Sequence, residues 1–508
     1  MESFMTASML YNLVQCPHRL YLDLHEDPVK RDPESTFLQL LWERGTLFEQ
    51  KVMMDRSLEF ADLGGKTAEE REERTQEAME QGVGLIYRGR LRSGNLLGEP
   101  DLLKRQGAGY VAGDIKSGSG EEAVSGESEG RPKRHYAVQL AFYTDILEQL
   151  GVSAGRLPFI WDVHGEEVIY DLGAPLGGRN TISLWHFYEE CLAQATRILK
   201  REEETTPALV SACKLCHWRS LCTAHLVKLD DLSLIPMLGK SKREAMLPYV
   251  KTVQALASLK VEELINGEKS IIQGISAESL KRFHLRARLQ KRQDAKPILT
   301  QIPRLHRADR ELFFDIETDP MRDVCYLHGF VERKNMDSST ERYVAFFADS
   351  PADEDERWAF KEAWEYVHEF NPCCIYFYSK YERTWWYRLQ ERYPEVASRE
   401  QVEKMFDPSH AVDLYTDIVR PCTEWPTRDY SIKTLARYLE FRWRDTNPSG
   451  AESIEWYHRW VESGDFSIKE RILQYNEDDC LATRVLLDGI RAMVEALPGK
   501  GSHNEVSN

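Results

Sequence analysis

Three groups of side chains in this chain have the types and spacings that chemistry needs. Asp315 and Glu317 stand two apart in ELFFDIETD (311–319), and Tyr475 and Asp479 stand four apart in ERILQYNEDDCLATRVLLDGI (470–490). Carboxylates gathered on one face can share two divalent cations about 4 Å apart, one activating water and the other steadying the leaving oxygen of a phosphodiester. A tyrosine one turn before the last aspartate can orient that water. Earlier in the chain, Asp101 in GEPDLL (98–103) and Asp114 in GYVAGDIKSG (109–118) make a second pair able to hold a cation. Lys116 beside them can position or activate a water and stabilise phosphate charge. The third group is thiols: CKLCHWRSLC (213–222) sets Cys213, Cys216 and Cys222 in a C-x2-C-x5-C run. Soft-metal sites built from cysteine usually take four thiolates. The run is therefore one ligand short, and the nearest preceding cysteine is Cys191.

Strands and helices must carry these groups to one place. YVAGDIK reads as a short strand ended by Ser-Gly, and its two-residue period puts Asp114 and Lys116 on one face. HYAVQLAFYTDILEQLG (135–151) is apolar at helical spacing, so Gln139 and Tyr143 share a face. WERGTLFEQKVM (42–53) reads as a helix carrying Glu49. In the C-terminal part, ELFFDIETD reads as a strand with both acids on one face, and 470–490 as a helix with Tyr475 and Asp479 on a common face. NPCCIYFYSKYERTWWYRLQ (371–390) reads as a strand, a polar turn holding Glu382, and a second helix. YSIKTLARYLEF (430–441) reads as a packing or substrate-side helix whose Lys433 is a phosphate contact or simply solvated.

With 508 residues the chain exceeds one core and should hold about two or three domains. Its 42% hydrophobic and 29% charged residues are those of a soluble globular protein. No eighteen-residue apolar run reads as a membrane span, and MESFMTASMLYNLVQC lacks the pattern of a secretory signal. Ten unevenly clustered cysteines suit metal binding in a reducing, cytoplasmic setting better than a disulfide scaffold. A net charge of −17 speaks against nucleic acid as a partner, but acidic active sites inflate such a count and a local basic face can hide beneath it. Residues 281–310 are such a stretch, with ten Lys/Arg against two Asp, a local excess of +8. They read as a stripe for a phosphate backbone or as a solvated linker. IPMLGKSKREAML, within 229–260, reads as a helical hairpin, with Gly239 and Lys240 at a turn facing a DNA phosphate or merely ending a helix. SGSGEEAVSGESEG (117–130) reads as a mobile acidic loop.

Glu49 on a helix, G-x-x-D ending in Asp101, the strand-borne Asp114-x-Lys116 and the helical Gln139-x-x-x-Tyr143 together resemble the RecB-type branch of the PD-(D/E)XK nucleases. The resemblance implies Mg²⁺ or Mn²⁺ on Asp101 and Asp114, Lys116 as catalytic lysine, and Gln139 and Tyr143 as the trailing motif that helps hold nucleic acid. The family often carries a histidine in its first helix, where this chain offers Phe48, Glu49 and Gln50. A subset of these nucleases binds a 4Fe–4S cluster with one cysteine before the core and three after it. That implies Cys16, Cys213, Cys216 and Cys222 as ligands, a clasp across the domain, with zinc as the competing occupant. Asp315-x-Glu317 with Tyr475-x-x-x-Asp479 resembles the DEDDy exonucleases of the ribonuclease H-like superfamily. There the middle acid is an aspartate after an aromatic residue; here Tyr381-Glu382 stands in that place, Asp413 is the alternative, and Asp478 is a rival to Asp479.

The order of these parts is similar to that of the RecB-like, TM-prefixed family of two-nuclease proteins. The expected fold is α/β: a PD-(D/E)XK restriction-endonuclease-like domain (1–226), a helix-hairpin-helix and basic connector (227–300), a ribonuclease H-like α/β domain (301–495) and a disordered tail (496–508). The expected function is metal-dependent exonucleolytic cleavage of DNA, single-stranded or with free ends, in repair, recombination or defence, with a helicase as further partner. The competing expectations are a nucleic-acid-binding scaffold with decayed sites and an RNA-processing ribonuclease.

Overall fold

The strand read from YVAGDIK forms, and it is buried along its whole length. The structure is a computed structural model that describes residues 4–56, 58–122, 130–177, 180–446 and 449–497. The chain divides into two units, Met1–His225 and Leu226–Asn508.

The first unit opens with α1 (Ala7–Gln15), capped by the Thr6 hydroxyl, which accepts from the Met9 N–H at 3.3 Å. Cys16 follows in extended conformation, and Pro17 starts α2 (Pro17–His25), a position where the missing N–H of proline loses nothing. After α3 (Thr36–Asp55) comes a six-stranded sheet of β1 (Ala61–Asp62), β2 (Leu85–Tyr87), β3 (Leu102–Gln106), β4 (Gly109–Ile115), β5 (Phe159–Trp161) and β6 (Glu167–Ile169). Its spatial order is β6-β5-β4-β3-β2-β1. β3 and β4 form a hairpin closed by Gly107 at φ +61°, a left-handed position glycine adopts without strain. β4 also pairs in parallel with β5, Asp114 lying opposite Ile160. Alternation along β4 sends Val111 and Ile115 to one core, with Val52 and Met53 of α3. Tyr110 and Ala112 go to the other core, with α1 and α4 (Arg134–Gln149). Asp114 therefore projects on the side of α4, which carries Gln139 and Tyr143. α5 (Leu184–Leu199) and α6 (Arg219–Leu229) follow, the latter bearing Cys222.

The acidic loop differs from its sequence reading at both flanks. Glu121–Glu122 pair with Arg131–Pro132, and the N–H of buried Gly120 donates to Asp162 at 3.1 Å. Residues 123–129 lie outside the described residues, as do 498–508 of the tail.

In the second unit a five-stranded sheet is built from β7 (Arg310–Asp319), β8 (Val324–Lys334), β9 (Asp337–Phe347), β10 (Cys374–Phe377) and β11 (Ala411–Asp413), in the order β9-β8-β7-β10-β11. β7 is central, antiparallel to β8 and parallel to β10. Leu312, Phe314 and Ile316 of β7 pack into one core, leaving Asp315 and Glu317 on the opposite side. That side is covered by a long helix, Phe466–Glu495, whose Cys480, Leu486 and Ile490 pack against Phe313.

The hairpin reading needs correction. A single 3₁₀ turn, Leu232–Leu234, precedes the helix Gly239–Met246, so only one of the two expected helices forms before the next at Val253–Ser258. Gly239 adopts φ +71° at the helix start, and the exposed Lys240 faces Glu244 at 3.9 Å. Part of the basic stretch is paired within the fold. Within the helix Ala277–Lys291, Arg286 is buried against Glu424 at 2.6 Å, and Arg282 meets the same carboxylate, also at 2.6 Å. Lys291 pairs with Asp230. Arg282 and Arg286 thus serve a buried acid, while Lys281, Arg288, Arg292 and Lys296 are exposed, as either reading of the stretch requires. Glu424→Ala strands Arg286 without its partner and should destabilise the second unit by about 3–5 kcal/mol in urea melts. The first unit's melting should be unaffected by that change.

Candidate functional site

Asp315 and Glu317 leave β7 on the face that meets the long helix, where Tyr475 and Asp479 lie one turn apart. Among the described residues, Asp315, Glu317 and Asp479 are the one group of three metal-ligating side chains whose ligand atoms all lie within 4.8 Å of one another. Glu317 and Asp479 are buried and Asp315 half-buried. Like charges so close repel by about 3 kcal/mol per pair at an effective dielectric near 20. The surrounding donors are placed accordingly. Asn476 Nδ2 donates to Asp315 at 2.8 Å, and Trp443 Nε1 donates to Asp479 at 2.7 Å. Lys433 Nζ donates to the Tyr475 hydroxyl at 2.6 Å and stands 3.9 Å from Asp479. Burial and the neighbouring carboxylates still hold Asp315 well above the usual carboxylate range and push Glu317 up to about 8. Such a set needs either protons or cations.

The middle acid is more specific in space than in sequence. Glu382 sits in the first turn of the helix Tyr381–Arg392, not in the preceding turn as the sequence suggested. It is buried, its Oε2 has no hydrogen-bond partner, and its charge is felt by Asp315. Burial, then Asp413 and Asp479, push its carboxyl well above the ordinary range. Asp413 instead accepts the N–H groups of Ser379 at 2.9 Å and Thr416 at 3.0 Å, a capping arrangement that occupies one oxygen. Asp478 is taken up by Arg444, through both the N–H at 2.8 Å and Nε at 2.9 Å.

In the first unit, Asp101 immediately precedes β3 and Asp114 ends β4 beside it. The Asp101 N–H approaches Asp114 at 3.5 Å, and the Ile115 N–H donates to Asp101 at 2.8 Å. Lys116 Nζ lies 2.9 Å from Asp114, as the shared strand face required. Burial and Asp114 push Asp101 up to about 8, while Asp114 and Asp101 raise the Lys116 ammonium despite its burial. Tyr143 donates to the Glu99 carbonyl at 3.4 Å, and the buried Gln139 Oε1 has no partner. Glu49 is the outlier. It contributes to the field at Asp101, but its contact is with Arg88 at 3.4 Å.

Cys16, Cys213, Cys216 and Cys222 line one pocket with Arg19 and Arg219, across nearly the full length of the unit. The thiols sense one another: burial, then the other three cysteines, push Cys222 up to about 12. No three of their sulfurs fall within 4.8 Å of one another. Asp23 of α2 fixes the loop between them, accepting from His217 at 2.6 Å and from Trp218 Nε1 at 2.9 Å.

Residues 7–223 match the PD-(D/E)XK nuclease superfamily, and residues 312–490 match the RNase_H superfamily. The chain thus joins two nuclease-superfamily domains. No curated protein matches it.

The RNase H-like domain also contains partners that sequence reasoning missed. Asn476, Trp443 and Ser453 hold the triad, Ser453 and Asn476 both reaching Glu317. One signal was present: Gly329 lies opposite Asp315 in the sheet, and a β-carbon there would run into Asn476. In the PD-(D/E)XK domain the equivalent omissions are Arg88 and Asp23, for which the sequence offered no pattern.

The raised carboxyls predict a pH signature. Folded Glu317 titrates at about 8 against an ordinary 4.5, so the native state holds a proton the unfolded chain releases. Its stabilising contribution is complete below the ordinary value and disappears as pH rises through about 8. The Tm gained from Mn²⁺ should therefore be larger at about pH 8.5 than at about pH 5.5, and calorimetry in buffers of different ionisation enthalpy should show proton release on Mn²⁺ binding. Glu317→Gln should flatten both trends.

Proposed function

We propose that the chain is a divalent-metal-dependent DNA nuclease with a hydrolytic centre in each domain, the C-terminal one a DEDDy exonuclease acting on single strands or free ends. The observation that carries this reading is the Asp315–Glu317–Asp479 triad, held within 4.8 Å inside an RNase H-like domain. Its donor chemistry, hard oxygen ligands and buried like charges, fits Mg²⁺ or Mn²⁺. Bound there, such cations would supply Lewis-acid stabilisation of the phosphate and a more acidic water.

The chain's own residues do the rest. Asp315, Glu317 and Asp479 hold the cations, with Glu382 as the middle acid. Tyr475, its hydroxyl fixed by Lys433, orients the attacking water; the water oxygen bonds to phosphorus as the bond to the departing sugar oxygen breaks, and that oxygen takes up a proton. In the PD-(D/E)XK domain, Asp101 and Asp114 hold a cation and Lys116 serves the water and the phosphate. Glu49 completes the ligand set, and Gln139 and Tyr143 support it from α4.

The four cysteines fit a 4Fe–4S cluster. A zinc tetrathiolate, with Zn–S near 2.3 Å, draws its sulfurs to about 3.8 Å of one another. The four cysteines line one pocket, and the order of one before the domain core and three after it is what favours the iron–sulfur reading over zinc. The cluster would tie the two ends of the domain together and contribute to its folding. A cytoplasmic setting, a helicase partner and a role in repair, recombination or defence complete the reading.

On end-labelled single- and double-stranded DNA with Mn²⁺, Asp315→Ala with Glu317→Ala should remove exonucleolytic products by about a thousandfold. Lys116→Ala should separately remove the products of the first centre. Unchanged cleavage in both variants would refute the two-centre reading, and preferential degradation of matched RNA would refute DNA as substrate. Anaerobically purified protein should be brown, with absorbance at about 400 nm that is lost in Cys16→Ser as fully as in Cys222→Ser. Colourless protein containing zinc would instead identify a tetrathiolate zinc site.

A further inference from the structure

Arg88 follows β2 with φ +59°, a left-handed conformation that a non-glycine residue keeps only where its surroundings hold it. Its contacts run to both sides of the first centre. Its backbone N–H donates to the Asp101 carbonyl at 2.8 Å. Its guanidinium donates to Glu49 at 3.4 Å and to the Tyr87 hydroxyl at 2.7 Å, and lies over the Tyr87 ring at 4.5 Å from its centroid. Gly64 leaves room for it, since a β-carbon there would run into the guanidinium.

The helix that bears Glu49 gives it little support. Over Thr36–Asp55 only Val52 and Met53 are fully buried, and Phe48, next to Glu49, packs partly buried against the same core. That packing places the helix but not the Glu49 carboxylate, which is met by Arg88 at 3.4 Å and by the Tyr87 hydroxyl. Arg88, whose own backbone is tied to Asp101, is the charged group of the two.

We propose that Arg88 is a positioning residue of the first centre, strained into place so that its guanidinium keeps Glu49 available as the third cation ligand beside Asp101 and Asp114. The proposal rests on the reading of that centre as a cation site.

The test uses the full chain with Asp315, Glu317 and Asp479 replaced by alanine, so that Mn²⁺ uptake, followed by electron paramagnetic resonance, reports on the first centre. Arg88→Gly should weaken Mn²⁺ binding about tenfold while the metal-free Tm stays level or rises, because glycine takes φ +59° without strain. A purely structural arginine would show the reverse, a lower Tm with unchanged binding. Glu49→Gln should weaken binding similarly, and Arg88→Gly with Glu49→Gln should be no worse than Glu49→Gln alone. Arg88→Lys should recover part of the affinity. Wild-type affinity in Arg88→Gly, or losses that add in full, would overturn the proposal. If Asp114→Asn takes up as much Mn²⁺ as the parent, the cation-site reading itself fails and the proposal falls with it.

Discussion

Asp315, Glu317 and Asp479 repel one another across less than 4.8 Å, two of them out of contact with water, and much of the RNase H-like domain is arranged to keep them there. Pairwise repulsion of about 3 kcal/mol would spread the carboxylates if the backbone allowed it. β7 does not, because it is the middle strand of its sheet, and the covering helix does not, because its apolar face is packed on the same core. Asn476 and Trp443 then fix the carboxylate orientations, and Lys433 places a positive charge beside Tyr475 and Asp479. This is the logic of a preorganised ion site: the protein bears the repulsion on folding, and a cation relieves it.

The PD-(D/E)XK domain meets the same need with fewer acids. Asp101 and Asp114 stand on neighbouring strands, and Lys116 partly neutralises them. Glu49 adds to the field at Asp101 from the helix Thr36–Asp55 and meets Arg88. The domain's other end is closed by thiols gathered from Cys16 and from the 213–222 run, with Asp23 gripping His217 and Trp218 between them. Half-buried protonated thiols with a few weak backbone hydrogen bonds would be a weak clasp, whereas four thiolates on a shared metal centre would be a strong one.

Much of this was legible in the residues because period and chemistry coincided. Asp114-x-Lys116 and Asp315-x-Glu317 are strand pairs, Gln139/Tyr143 and Tyr475/Asp479 are one-turn helix pairs, and each pair lies where its period places it. Spacing could not separate Glu382 from Asp413, since one lies just after a strand and the other ends one. In space both keep a buried oxygen without a partner, and Asp413 spends its other oxygen on capping. Nor could it find Asn476, Trp443 or Arg88, which act through contacts between elements distant in sequence. For the same reason, counting charge at 281–310 could not see that Glu424, more than a hundred residues away, takes up Arg282 and Arg286.

The central claim, that two clusters of buried carboxylates are cation sites, is tested most directly by anomalous diffraction from crystals of the full chain soaked in Mn²⁺. The account predicts manganese density against Asp315, Glu317 and Asp479, and separately between Asp101 and Asp114. Carboxylates that keep their metal-free positions with no anomalous density between them would contradict it.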